Sequence, residues 1–156
     1  MTDQKPTEAS SPVREKGKGS RGGELDMDMD MELARRAVAC DGWRWMDGAS
    51  DDMGRRIFHA NAKGAWYRDC NNDFFLMPDN ALPDLTDPAT LGCLLYLVRE
   101  LLGDPEVHLD LERSGFWSVR LGNPTREIVA ADTTEARALI TALECGKEVR
   151  ETLGLF

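Results

Sequence analysis

The sequence contains no apolar run near the roughly 18 residues that a membrane span requires. Its opening 23 residues hold no hydrophobic stretch of the kind a secretory leader uses. A cytoplasmic protein with no membrane attachment is therefore expected. Histidine is scarce, with only His59 and His108. The four cysteines, Cys40, Cys70, Cys93 and Cys145, lie far apart with no C-x-x-C pair. In a reducing compartment they read as small hydrophobes rather than a disulfide framework. Basic residues are outnumbered, 19 against 28 acidic, which gives a formal net charge of −9. Such a charge repels phosphate backbones, so no direct nucleic-acid binding is expected, and it favours basic partners. Glycine-rich phosphate loops, serine elbows and paired catalytic carboxylates in a defined context are all missing. No catalytic residue, resident metal or cofactor is expected.

What is present suffices for a core: 42% of the 156 residues are hydrophobic. Residues 1–26, dominated by Lys, Arg, Glu, Ser, Gly and Pro, have too little to bury to offset their ordering entropy. They read as a disordered tail ahead of a single α+β domain over 27–156. Asp26–Met31 alternates acidic and apolar residues, a pattern open to a short strand, and its methionines also read as alternative translation starts.

Leu33, Ala34, Ala37 and Val38 recur at helical spacing after Asp30, a capping residue type, and Gly42 follows. Trp43–Met46 alternates like a strand, with both indoles on one face. Arg56–Ala60 and Ala65–Arg68 read as a hairpin across Asn61–Gly64, and Phe74–Met77 as a further short strand.

The clearest local signal is a helix from Pro88 to Leu102. Asp87 before Pro88 suits an N-cap with proline at the first helical position. Leu91, Leu94, Leu95, Val98, Leu101 and Leu102 form one continuous stripe, and Gly103 with Asp104-Pro105 ends it. Strands then follow at Val107–Leu111, Phe116–Leu121 and Glu127–Ala130, with a turn at Gly122-Asn123-Pro124. Asp132 and Glu135 have capping-box spacing, with Thr133 and Thr134 as alternative caps. Ala136, Leu139, Ile140 and Leu143 line a last helix that Gly146 is expected to stop, and Leu153, Leu155 and Phe156 are expected to dock. The predicted order is α-βββ-α-βββ-α, with antiparallel sheets packed by helices.

The segment Leu82-Pro83-Asp84-Leu85-Thr86-Asp87-Pro88-Ala89-Thr90-Leu91-Gly92-Cys93-Leu94-Leu95 resembles an L-P-D-L-x-D-P-A-T-L-G-C-L stretch of small phage and prophage proteins. Those proteins are similar to the phage ABA-sandwich group. Gly42–Met46, Trp117-Ser118-Val119 and Thr134–Glu144 fit as well, so the resemblance covers most of residues 32–145. It implies a helix–sheet–helix layering and a mobile-element origin, and it implies no activity.

Asp69, Asn71 and Asp73 have the spacing that opens a calcium loop. Phe74 and Asn80 stand where that loop needs glycine and glutamate, so a polar turn is expected. His108, Asp110 and Glu112 share one face of a strand, as a metal or acid–base group would and as any solvated sheet face does. Residues 87–145 follow the order of double-stranded RNA-binding domains without their basic footprint. Of the aromatic set Trp43, Trp45, Trp66, Tyr67, Phe74, Phe75 and Trp117, most are expected in the core. Any exposed member of Trp43, Trp45, Trp66 and Trp117 would be a natural interface anchor. The expectation is a phage- or prophage-encoded accessory protein that acts by binding a host protein with a basic surface, as an inhibitor of a defence or nucleic-acid-binding factor. A small-ligand binder for a nucleotide-like signal is the alternative, and an enzyme using His108 and Asp110 is a third.

Overall fold

The computed structural model describes residues 22–122 and 127–154. Its order is α1 (Gly22–Ala39), β1 (Ile57–Asn61), β2 (Gly64–Arg68), β3 (Phe74–Leu76), α2 (Pro88–Leu102), β4 (His108–Leu111), β5 (Trp117–Arg120), β6 (Ile128–Asp132) and α3 (Glu135–Leu153). The predicted α-βββ-α-βββ-α order and α+β class hold. The strands form two separate antiparallel sheets, β1-β2-β3 and β4-β5-β6. No helix among the described residues is long and apolar enough to cross a membrane.

α2 forms where its caps dictate. The Asp87 carboxylate accepts the Thr90 amide at 3.0 Å, and Gly103, left-handed at φ +67°, closes the other end. Its stripe buries Leu94, Leu97, Val98 and Leu102, each worth about 1.5–3 kcal/mol of transfer free energy before entropy is subtracted. α2 packs chiefly along α3, and α3 in turn covers β5 and β6. Val119 and Ala130 point from the second sheet into this main core, joined by Leu139, Ile140 and Leu143 of α3 and by Leu33, Ala34 and Ala37 of α1.

Residues 47–87 make a second, smaller unit around the first sheet. Its core is Ala49, Ile57, Ala65, Met77 and Ala81. An internal ion pair ties its loop. Asp51, fully buried, accepts the Met53 and Arg55 amides and the Arg55 guanidinium, the last at 2.6 Å. α2 serves both cores, since Cys93 reaches the smaller one.

Several boundaries differ from expectation. α1 begins at Gly22 rather than near Asp30, so the Asp26–Met31 alternation is helix, not strand, and the helix reaches into the segment expected to be tail. Methionine and glutamate are good helix formers, and α1 carries on beyond the part that Leu33, Ala34 and Ala37 anchor. Residues 1–21 lie outside the described residues. Trp43–Met46 is not a strand: among the described residues no partner strand pairs with it. The hairpin between β1 and β2 turns through Ala62-Lys63 alone, shorter than the four residues expected.

α3 is capped by Thr134, whose hydroxyl accepts the Arg137 amide at 3.3 Å, while the Asp132 carboxylate accepts the Thr133 amide instead. The helix does not stop at Gly146 but runs to Leu153, with Gly154 as its cap. Gly146 is a packing position: a Cβ there would fall 2.4 Å from Leu101 Cδ2, so its lack of a side chain is what lets α2 and α3 approach. The expected docking of the last residues lies outside the described residues, as does most of the Gly122–Pro124 turn.

Candidate functional site

The first sheet is built by two tight turns. The Asn61 side chain accepts the Lys63 amide at 2.8 Å, which bends the chain back between β1 and β2. Gly64 follows at φ +142°, and a Cβ there would lie 2.7 Å from Leu76 Cδ1. Between β2 and β3, Asp69 Oδ1 accepts the amides of Asn71 and Asp73, both at 2.9 Å, and Asn72 takes φ +69°. The Asp69–Asp73 spacing is thus a side-chain-nucleated turn. Among the described residues no group of three or more His, Cys, Asp or Glu side chains is arranged to hold a metal ion.

The register sends alternate residues to opposite faces. Ile57, Ala65 and Met77 turn inward to the small core. A bulge at Phe58, where the pairing slips between Ile57 and His59, brings both Phe58 and His59 to the outer face. His59 stacks on Trp66 there, with ring centroids 5.8 Å apart. Phe58 meets Phe74 edge to face at 5.4 Å, and the Arg68 guanidinium lies 4.5 Å from one ring centroid and 4.7 Å from the other. Phe58, Phe74 and Leu76 are 54%, 53% and 56% exposed, far more than large apolar side chains with a partner would be. On the opposite face Phe75 stacks on Tyr67 at 5.7 Å.

A cleft of about 1080 Å³ opens beside the hairpin turn, lined by Trp43, Trp45, Lys63, Leu76, Asp79 and Tyr96 among others. Trp43 packs on the main core and Trp45 on the small one, and their rings meet at 5.5 Å and 73° across the seam between the two units. Arg44, between them in sequence, turns outward to Glu100 of α2.

The predicted anchors are thereby divided. Trp66 lies on the outer face of the first sheet, Trp43 and Trp45 line the cleft, and Trp117 packs against the main core, apart from the others. Trp43, Trp45, Tyr67 and Trp117 pack half-buried against the two cores, four of the seven expected mostly in the core. None of the seven is fully buried, and Phe74 and Phe75 are exposed, because the three-residue β3 is an edge strand with no further strand beside it among the described residues. Phe58 is not legible as a surface residue: the bulge that turns it outward has no local signal in the sequence.

His108, Asp110 and Glu112 do share one face, and Arg120 of β5 joins them. His108 Nε2 lies 3.5 Å from Asp110 Oδ2, while Arg120 reaches Asp110 at 3.4 Å and Glu112 at 2.5 Å. The Arg120 guanidinium, helped by the Ser118 hydroxyl at 2.8 Å, holds the Glu112 carboxyl below its usual range. The group forms an ion-paired sheet face in which Arg120 occupies both carboxylates. Burial pushes the thiols of Cys40, Cys93 and Cys145 upward, which keeps them protonated.

No protein-family model, curated protein or solved structure matches this chain.

Proposed function

We propose that the protein acts by binding, as a phage- or prophage-encoded accessory protein whose first sheet takes up a basic surface of a host defence or nucleic-acid-binding protein. The observation that carries this reading is the Arg68 guanidinium lying over the exposed, touching rings of Phe58 and Phe74. It displays, within the chain, how this face accommodates an arginine. The surroundings favour cations further: exposed Asp73 stands just before β3 and exposed Asp79 just after it. Rigid aromatic anchors with an acidic rim fit a basic, partly apolar protein surface, whereas a phosphate backbone would be repelled.

The test is affinity purification from host lysate with the wild-type chain and a Phe58→Ser/Phe74→Ser variant. Partners should be retained by the wild type at low salt and lost both at raised salt and with the variant. Recovery of the same proteins by the variant overturns the reading, as does an empty eluate under conditions validated with a known binder.

The cleft supports a second reading, a small-ligand binder. Trp43, Trp45 and Tyr96 offer ring faces and Lys63 a cation at its edge, the combination a nucleotide-like signal requires. A thermal-shift screen against nucleotides and metabolites separates the two, since a native-state ligand raises the melting temperature by mass action. A flat panel argues against the cleft reading.

A further inference from the structure

The outer edge of β3 is open, and its hydrogen-bonding pattern is defined by its neighbours. The Asp69 amide donates to the Asp73 carbonyl at 3.1 Å and the Met77 amide to the Ala65 carbonyl at 2.8 Å. In an antiparallel ladder these bonds alternate, so Phe75 exchanges both of its bonds with Tyr67, its register partner. The N–H and C=O groups of Phe74 and Leu76 therefore point away from β2. Among the described residues no strand lies beyond β3. Three consecutive large apolar residues, Phe74, Phe75 and Leu76, are each 45% exposed or more along this edge. Natural sheets commonly protect such an edge with charge, proline or a covering element. Here the charges stand at the strand's ends, with Asp73 before it and Asp79 three residues beyond it.

We propose that β3 is a receiving edge: an extended, arginine- or lysine-bearing segment of the partner adds beside it as a fourth strand. This rests on the binding reading above and names the partner's chemistry. Strand addition offers the backbone bonds of Phe74 and Leu76 their missing partners, while alternate side chains of the incoming segment fall on the aromatic face. A basic side chain there meets Phe74 as Arg68 already does, with Asp73 and Asp79 within reach of flanking cations. A second copy of this chain fits less well. Symmetric pairing about Phe75 sets Asp73 opposite Met77 of the other copy, diagonal to that copy's Asp79, in a chain already at −9.

The experiment titrates the full chain with the peptide acetyl-Arg-Val-Arg-Val-Arg-amide at low salt and compares Leu76→Pro and Phe58→Ser. Proline at 76 deletes an outward-facing donor and no bond to β2, so the fold is retained while peptide affinity falls about tenfold. Two further peptides, N-methylated at alternate residues on one edge or the other, need no change in the protein. One should bind like the parent and the other should not bind, because strand addition uses a single peptide edge. Equal binding of both methylated peptides overturns strand addition, as does full affinity of Leu76→Pro with loss in Phe58→Ser, which leaves the aromatic-face reading standing. No binding to the wild type also overturns it, and the purification test then decides the broader reading alone. A concentration-dependent dimer that Leu76→Pro abolishes would assign the edge to a second copy and overturn the proposal.

Discussion

The hydroxyl of Thr90, fully buried in the first turn of α2, accepts the backbone amide of Ser50 at 2.9 Å. Its own hydrogen lies within reach of the Ser50 carbonyl at 3.3 Å and the Asp87 carboxylate at 3.0 Å. One side chain thus ties the small unit that carries the first sheet to the helix that organises the main core. Thr90→Val keeps the shape and leaves the Ser50 amide buried without its acceptor. The expected loss is about 2 kcal/mol, with Thr90→Ser close to wild type. Urea denaturation measures both, and a Thr90→Val chain as stable as wild type would show that the tie contributes nothing.

Asp87 makes this junction sensitive to acid. Burial disfavours its charge, but bonds from the Thr90 hydroxyl and amide and from Arg56 outweigh that and hold its carboxyl below the usual range. A carboxyl depressed in the folded state stabilises above its unfolded value, about pH 4, and that stabilisation is lost as pH falls through the folded value. Urea midpoints should therefore drop on acidification below about pH 4. Asp87→Ser keeps a capping oxygen without a titrating group and should flatten that part of the profile. An unchanged acid slope in Asp87→Ser would assign the loss to other carboxylates.

Gly146 and Leu101 make a third test. Valine at 146 drives a side chain into Leu101 and should cost about 2 kcal/mol by overpacking. Adding Leu101→Ala should recover part of that loss, giving a coupling in a double-mutant cycle. Additive effects in thermal denaturation would show that the loss does not come from the Leu101 contact, and helix propensity could not account for it, because valine is a better helix former than glycine.

The same pair explains where the sequence could and could not be read. α2 was legible because its signals are local: Asp87, Pro88, an unbroken apolar stripe and Gly103 within one short segment. The end of α3 was not, because Gly146 serves a helix 45 residues earlier in the chain, and a glycine kept for close approach looks the same as a stop. Trp43–Met46 alternates because it spans two cores, one indole on each, and that alternation imitates a strand. His108, Asp110 and Glu112 were found on one face from period two alone. Arg120, which neutralises them, depends on cross-strand register, as does the outward turn of Phe58. The resemblance in Leu82–Leu95 fell on the capped start of α2, and the exposed aromatic face lies outside that stretch.

Hydrogen exchange at β3, read residue by residue by NMR, tests most directly whether the first sheet is a binding surface with a free edge. In the free protein the amides of Phe74 and Leu76 should exchange fast and that of Phe75 slowly, and the Arg-Val peptide should slow the first two. Uniform protection along β3 in the free protein, or peptide-induced protection confined to α1 or the second sheet, would contradict it.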